Sequence, residues 1–219
     1  MEWAAGNVLD NPVPDWKFEN AWRRKGAKVI VGIDEAGRGP LAGPVAAAAV
    51  ILPRRLRLSG LDDSKKLSEA RREDLYQELT GNRGVVWAVA LAEPDEISTL
   101  NILRATHVAM RRAVAALAVE VDICLIDGLP VPGFGWHQQA IVQGDGLSLS
   151  IAAASVLAKV TRDRLMHAYA EEFPQYGFER HKGYGTAAHL QALQIHGPCR
   201  IHRKTFQPIA QFLLPFDQA

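Results

Sequence analysis

The residues best suited to chemistry are acids that follow apolar runs. Asp34 and Glu35 follow a short β-branched run, within a glycine-rich segment of the kind that often binds phosphate. The segment fits neither common phosphate-binding template. No Lys-Ser or Lys-Thr pair follows its last glycine, and Gly43 and Pro44 would interrupt the helix that a dinucleotide site requires. What remains is a pair of carboxylates, which is typical of a metal site or of a solvated strand end.

Two further acids, Asp127 and Asp145, also follow apolar runs. Carboxylates at the ends of adjacent strands gather at one sheet edge, where they raise one another's pKa unless a divalent cation binds among them. Glu35 can converge with Asp34 only if the strand breaks at Glu35, because neighbouring strand residues point to opposite faces. Asp163 is an alternative fourth acid, although its flanking arginines favour an ion pair. We therefore predict a metal site of four carboxylates.

The elements that must position these acids alternate between strands and helices. Hydrophobic periodicity predicts strands at residues 28–33, 44–52, 85–92, 122–126 and 140–142, and helices at residues 68–79, 95–117, 151–172 and 186–196. The first two strands are separated by a glycine- and proline-rich segment, as in a hairpin-like pair. This order indicates an α/β fold in which helices flank a mixed sheet.

The composition is that of one compact domain. The chain has 219 residues, of which 48% are hydrophobic, so its core needs no disulfide. A formal net charge of +1 excludes a strongly electropositive coat but allows a local basic patch. No apolar run is long enough to span a membrane, and the acids among the first twenty residues argue against a secretion signal. Two cysteines fit a reduced cytosol, so we expect a cytoplasmic protein.

A resemblance to a known family is carried by the Gln143-Gly144-Asp145 turn together with seven collinear motifs: DEAGRGPLAGPV, DSKKLS, LNIL, LIDG, AASVLAKVTRD, FPQYGF and HKGYGT. Together they resemble bacterial ribonuclease HII, a type 2 ribonuclease H, over residues 28–208. The resemblance implies a ribonuclease-H-like fold with an added C-terminal helical region. It also implies cleavage of RNA in RNA/DNA hybrids and on the 5′ side of single ribonucleotides in duplex DNA. We divide the chain into an irregular leader (1–26), a catalytic domain (27–209) and a tail (210–219).

Position by position, the resemblance implies roles for individual residues. The four acids named above match the family's metal ligands, which implies two Mg²⁺ or Mn²⁺ ions. The glycine-arginine-glycine motif falls on Gly37, Arg38 and Gly39, and the ribonucleotide-sensing tyrosine falls on Tyr184. Phosphate contacts are expected from basic residues, namely Arg38, Lys65, Lys66, Lys159 and Lys182. Asp62 stands where relatives often have asparagine, and its extra charge would weaken the nearby phosphate contact.

Several alternatives stay open. The tail at residues 211–216 resembles peptides that dock on the sliding clamp, but an apolar tail can also pack on its own domain. His196, Cys199 and His202 have a spacing compatible with zinc, or with helix-terminal histidines and a buried thiol. The fold also serves DNA-cutting nucleases and integrases, and a non-catalytic binding module is a further possibility. We expect a monomer.

Overall fold

The computed structural model describes residues 13–54 and 56–213. Five strands form one mixed sheet in the order β3-β2-β1-β4-β5: β1 (Ile30–Ala36), β2 (Val45–Ile51), β3 (Val86–Ala92), β4 (Ile123–Asp127) and β5 (Gln138–Ile141). Strand β2 is antiparallel to both β1 and β3, whereas β4 is parallel to both β1 and β5. All five predicted strands are confirmed, and so is the hairpin-like pairing of the first two.

Helices lie on both faces of the sheet and in the C-terminal region. They are α1 (Lys17–Arg24), α2 (Glu69–Gly81), α3 (Pro94–Leu100), α4 (Ile102–Ala116), α5 (Leu149–Glu172), α6 (Phe178–His181), α7 (Ala187–His196) and α8 (Ile209–Phe212), with 3₁₀ turns at Gly144–Gly146 and Pro174–Tyr176. Ser68 and Thr186 cap α2 and α7 through their side chains, which accept hydrogen bonds from the amides of Arg71 and His189. Among the described residues, no helix is long and apolar enough to cross a membrane.

The small side chains of β2 let a helix pack closely on each face of the sheet. Ala47 and Ala49 face the core that contains α4, whereas Ala48 and Val50 face the core that contains α2 and α5. On β1, a Cβ at Gly32 would overlap the backbone of Ser150 in α5. A glycine at this position therefore allows the long helix to cross β1 directly, which sets the N-terminus of α5 beside the acids.

One predicted helix is wrong in its extent. The apolar periodicity over residues 95–117 predicts a single long helix, but the chain turns at Asn101, where φ is +67°. The side chain of Asn101 accepts a hydrogen bond from the amide of Arg104 and so caps α4. Two helices of similar periodicity are joined by a single capping residue, which a hydrophobic pattern does not reveal.

The leader was expected to be irregular, and the structure corrects this for its second half. Phe18 and Trp22 lie one helical turn apart on α1 and pack against the core beneath β1 and β4. The indole N–H of Trp22 donates to Gln139 Oε1 at 2.6 Å. Two prolines upstream obscure this short amphipathic pattern in the sequence. Residues 1–12 lie outside the described residues.

The C-terminal region forms a small helical layer, as expected. Tyr176, Phe178, Leu193, Ile201 and Ile209 build its core. Helix α8 begins at the buried Ile209 and ends at Phe212, so only the first part of the predicted clamp-binding tail is described; residues 214–219 lie outside the described residues.

Candidate active site

Three of the predicted acids meet at one edge of the sheet. Because β1 and β4 are parallel and Ile33 lies opposite Ile126, Asp34 and Asp127 leave the sheet at the same end. With Asp145 they form a group in which one carboxylate oxygen from each residue lies within 4.8 Å of the others. Among the described residues this is the one group of three or more acid, histidine or cysteine side chains close enough to hold a metal ion.

A tight turn after β5 brings Asp145 into the group. Gln143 has a left-handed backbone with φ of +57°, and residues 144–146 form a 3₁₀ turn. The amide of Gly144 donates to Asp127 Oδ1 at 2.7 Å, which ties the turn to the end of β4. A Cβ at Gly144 would lie 2.7 Å from Ile151 Cδ1 and 3.2 Å from Ile141 Cβ, so a larger residue would force these side chains to shift.

The electrostatics of the group favour a cation. Burial raises the pKa of Asp34 well above its usual range, and the charges of Glu35 and Asp127 raise it further. Burial also raises the pKa of Asp127, with a contribution from Asp145, against the opposing effect of the amides of the 144–146 turn. Clustered carboxylates of this kind offer hard oxygen ligands, and the donor set therefore fits Mg²⁺ or Mn²⁺.

Glu35 lines the same cavity as Asp34 and Asp127 but lies outside the three-oxygen group. Strand β1 continues to Ala36, so the break that we expected at Glu35 is absent. Glu35 Oε1 accepts a hydrogen bond from Arg38 Nη1 at 3.2 Å. Burial raises the pKa of Glu35, while Arg38 opposes that shift. The fourth predicted acid is thus held beside the group by an arginine of the glycine-arginine-glycine motif.

The two lysines of the DSKKLS motif differ in their partners. Lys65 Nζ lies 2.9 Å from Asp145 Oδ2, directly beside the acid group. Although burial lowers the pKa of Lys65, the hydrogen bond and charge of Asp145 outweigh this effect and raise it. Lys66 Nζ instead lies 3.2 Å from Asp62, so the unusual acid at position 62 pairs with the neighbouring lysine.

The remaining two lysines are engaged by their own surroundings. Lys159 lines the cavity, and its Nζ lies 2.8 Å from Asp163 Oδ1. This pairing agrees with an ion-pair role for Asp163, although the partner is a lysine rather than a flanking arginine. Lys182 is turned away from the acids, since its Nζ contacts His167 Nε2 at 2.9 Å and the carbonyl of Glu179. The expected contact between Lys182 and the substrate rested only on the position of this lysine in the HKGYGT motif.

The glycine-arginine-glycine motif and Tyr184 face each other across the cavity. A Cβ on Gly39 would lie 3.6 Å from Tyr184 Cε1, which is ordinary contact, and 47% of Tyr184 is exposed. The amides of Arg38 and Gly39 donate no hydrogen bond to any residue in the described ranges. The cavity therefore offers free backbone donors, an exposed phenol ring and buried carboxylates side by side.

Some polar residues of the site have no obvious signal in the sequence. Ser155 lies in an apolar stretch of α5; it bonds Ser64 Oγ at 2.8 Å and stabilises the charged form of Asp34. Two buried arginines, Arg162 and Arg203, contact the loop that carries the glycine-arginine-glycine motif. A polar residue inside an apolar helical run is the one signal that could have identified Ser155.

The zinc alternative finds no support among the described residues. The amide of Cys199 donates to His202 Nδ1 at 2.9 Å, while His202 Nε2 lies 3.0 Å from His189 Nε2. Burial lowers the pKa of both His189 and His202 to about 4, so the two rings pack as neutral groups. His196 forms an edge contact with Tyr176 instead.

A mixed sheet with clustered carboxylates at the ends of its parallel strands defines a nuclease of the ribonuclease H class. The fold is similar to that of ribonuclease H2 from Pyrococcus horikoshii, with a TM-score of 0.71, 24% identity, and coverage of 84% of this chain and 97% of that chain. It is also similar to a structure of the PCNA:RNase HII complex from Archaeoglobus fulgidus, with a TM-score of 0.70, 26% identity, and coverage of 82% and 96%.

The ribonuclease HII family model matches residues 31–209, and the chain belongs to that family. Ribonuclease HII of Geobacter metallireducens is 52% identical over 200 residues, which cover 91% of this chain and 93% of the relative. Ribonuclease HII of Delftia acidovorans is 51% identical over 199 residues, covering 91% and 83%. The chain is thus an endoribonuclease that acts on RNA/DNA hybrids, in a family that uses divalent metal ions.

Proposed function

We propose that this enzyme hydrolyses the RNA strand of hybrids and also nicks duplex DNA on the 5′ side of a single embedded ribonucleotide. In both reactions the products carry a 3′-hydroxyl and a 5′-phosphate. The observation that carries the proposal is one cavity lined by Asp34 and Asp127 together with Gly37, Gly39 and Tyr184. Acids for phosphodiester hydrolysis and groups able to recognise a ribose are therefore within reach of one nucleotide.

Two divalent ions, Mg²⁺ or Mn²⁺, are proposed at the acid group. Asp34, Asp127 and Asp145 would hold them, and Glu35 would join once Arg38 turns to the substrate. When bound, two such ions lower the pKa of a water molecule and neutralise charge on the phosphate oxygens. The residues themselves orient the reacting groups: Lys65, beside Asp145, contacts the phosphate, and the burial of Asp34 holds its carboxylate in one position.

Ribose recognition is assigned to the opposite wall of the cavity. The free amides of Arg38 and Gly39 donate to the 2′-hydroxyl, and glycine permits the sugar to approach them. The ring of Tyr184 stacks beneath the neighbouring sugar. A site built to bond a hydroxyl can reject a substrate without it by a factor of roughly 10⁴. This discrimination is what removal of ribonucleotides from DNA requires.

The proposal is tested with labelled duplex DNA that contains one ribonucleotide, incubated with and without Mg²⁺. We expect a Mg²⁺-dependent nick on the 5′ side of the ribonucleotide, with the product ends identified by mass spectrometry. A cyclic phosphate would contradict the proposal, because it would make the 2′-hydroxyl the nucleophile. An all-DNA duplex is the control: its cleavage would favour a DNA-cutting nuclease, and binding of the hybrid without any cleavage would favour a binding module.

Replacing Tyr184 by alanine should impair nicking at a single embedded ribonucleotide by about tenfold more than cleavage of a long hybrid. A long hybrid offers a ribose at every register, whereas a single ribonucleotide must be located by the site. Tyr184→Phe, which keeps the ring, is the matched control for stacking. Rates on both substrates are compared at equal enzyme concentration, and equal losses for Tyr184→Ala would contradict the sensing role.

The tail at residues 211–216 is proposed to dock on the bacterial sliding clamp. Phe212 and Leu213 are 37% and 50% exposed, so the first apolar residues of the tail are accessible. The archaeal relative described above is an RNase HII in complex with PCNA, which supports a clamp partner for this chain too. We expect deletion of residues 210–219 to abolish capture by the clamp and to leave nicking of a short duplex unchanged; undiminished capture would contradict the assignment.

The remaining assignments concern the context of the enzyme. We assign the catalytic unit to residues 27–209 together with α1, which packs on the sheet. Both cysteines, Cys124 and Cys199, are free thiols, as is usual in a reducing compartment, and this supports a cytoplasmic location. The enzyme is proposed to act as a monomer, and light scattering of the purified protein tests this.

A further inference from the structure

Two arginines lie buried behind the glycine-arginine-glycine motif. Arg162 on α5 is 1% exposed and Arg203, after α7, is 0% exposed. In the described ranges neither guanidinium lies within 4.0 Å of a carboxylate, although a buried charge ordinarily has an acidic partner. Burial lowers the pKa of both, and the pKa of Arg203 falls to about 9 with a further contribution from the charge of Arg162. Backbone carbonyl oxygens take the place of the missing acids.

Arg203 binds the motif itself. Its Nη1 donates to the carbonyl of Arg38 at 2.8 Å, and its Nη2 donates to the carbonyl of Gly37. Its Nε donates to the carbonyl of Gly43 at 3.0 Å. The amide of Arg203 also donates to the carbonyl of Leu41 at 2.9 Å. One side chain therefore holds both ends of the loop that follows β1.

Arg162 joins that loop to the segment that carries Tyr184. Its Nε donates to the carbonyl of Pro44 at 2.9 Å, and its Nη2 to that of Ala42 at 3.0 Å. Its Nη1 donates to the carbonyl of Lys182 at 3.0 Å, two residues before Tyr184. The two walls of the ribose site are thus bound to the same guanidinium.

The glycines of these segments leave space for this arrangement. Gly37 has φ of +95°, and a Cβ there would overlap Nε of Arg162. Gly183 has φ of +84°, and its carbonyl accepts from the amide of Leu41 at 2.8 Å. The carbonyls of Gly37 and Arg38 accept hydrogen bonds from Arg203 on the inner side of the loop. The amides of Arg38 and Gly39 donate to no residue in the described ranges.

From this geometry we propose that Arg162 and Arg203 are positioning residues for ribose recognition. By binding six carbonyl oxygens they fix residues 37–44 against residues 182–184, which keeps the free amides and Tyr184 at the spacing that a ribose requires. This inference rests on the proposed nicking at embedded ribonucleotides. Lysine cannot replace either arginine, because one ammonium group lacks the planar, fork-like set of five donors that reaches three separate carbonyls.

The test uses full-length Arg203→Lys and Arg162→Lys. Each variant is assayed on two duplexes, one with a single embedded ribonucleotide and one a long RNA/DNA hybrid. The measured quantity is the ratio of the two kcat/KM values. A variant that is only partly folded loses activity on both substrates equally, so the ratio is independent of the folded fraction. Arg200→Lys is the matched control, because Arg200 lies three residues from Arg203, is exposed, and pairs with Glu172.

We expect the ratio to fall about tenfold or more in Arg203→Lys and Arg162→Lys, and to stay at the parent value in Arg200→Lys. An unchanged ratio in both buried-arginine variants would overturn the inference while leaving the proposed function intact. A parent enzyme that cuts the hybrid but never the single ribonucleotide would overturn the proposed function, and the inference with it. The activity of the parent enzyme on the single embedded ribonucleotide therefore distinguishes a failure of the inference from a failure of the proposed function.

Discussion

Replacing Asp34 by asparagine is expected to reduce cleavage of RNA/DNA hybrids by at least a thousandfold without destabilising the fold. Asp34 is 3% exposed and contributes an oxygen to the three-carboxylate group, and we propose that its charge holds divalent ions at the strand ends. A loss of about 4 kcal/mol of transition-state stabilisation corresponds to a thousandfold in rate. Asparagine retains a side-chain oxygen, equivalent to Asp34 Oδ1, that accepts a hydrogen bond from the amide of Glu35 at 2.7 Å.

Stability should move in the opposite direction to activity. The pKa of Asp34 is raised by burial and by two neighbouring acids, which means that the ionised side chain destabilises the metal-free protein at neutral pH. The asparagine side chain of Asp34→Asn carries no charge, so the melting temperature of this variant in EDTA should equal or exceed that of the parent. Asp95→Asn is the control, since Asp95 is exposed and pairs only with Lys204 among the described residues. A poorly folded Asp34→Asn protein, or one with a tenth of parental activity, would contradict this expectation.

The sequence predicts those parts of the sheet and of the site in which a local residue pattern determines the local structure. Apolar runs of strand length identify β1 and β4, and the acid that follows each run must emerge at the same edge once the strands are parallel. Asp145 was predictable in the same way as an acid after an apolar run, although the left-handed Gln143 that turns it inward has no strong sequence signal. Local rules therefore account for the three acids that meet.

What the sequence could not predict depends on contacts between distant residues. An arginine whose neighbours in sequence are polar resembles a surface residue, yet Arg203 is fully buried because carbonyls from residues 37–43 surround its guanidinium. Glu35 resembles a metal ligand by its position, but its carboxylate pairs with Arg38. In each case the partner is a backbone atom or a flexible side chain, and neither follows a periodic pattern.

A contact between α1 and the N-terminus of α5 is the clearest example of such a distant pairing, and we expect its removal to have a large effect on stability. Glu19 on α1 is 1% exposed, and its Oε1 accepts from Ser148 Oγ at 2.6 Å and from Ser150 N and Oγ at 2.9 and 2.7 Å. These donors lie at the N-terminus of α5, where a carboxylate is stabilised by the helix dipole. A residue from outside the family match thus completes the start of the longest helix.

Replacing Glu19 by alanine should destabilise the enzyme by about 3–5 kcal/mol, because it leaves the buried amide of Ser150 and at least one of the two buried serine hydroxyls without an acceptor. For a chain of this length that corresponds to a fall in melting temperature of about 6–20 °C. Glu19→Gln, which can keep the accepting oxygen, should lose less, and Asn20→Ala, an exposed neighbour on α1, should be close to the parent. Thermal unfolding followed by circular dichroism measures all three.

Activity should fall as well, even below the melting temperature. The amide of Ser148 donates to the carbonyl of Gly144 at 2.8 Å, and the amide of Gly144 donates to Asp127 Oδ1. Glu19 therefore acts on the turn that carries Asp145 through two hydrogen bonds, and its loss frees a carboxylate that we propose binds the metal ions to move. We expect Glu19→Ala to need a higher Mg²⁺ concentration for half-maximal rate than the parent, with both measured well below the melting temperature of the variant. An unchanged Mg²⁺ dependence in a destabilised variant would mean that α1 supports the fold alone and has no influence on the position of Asp145.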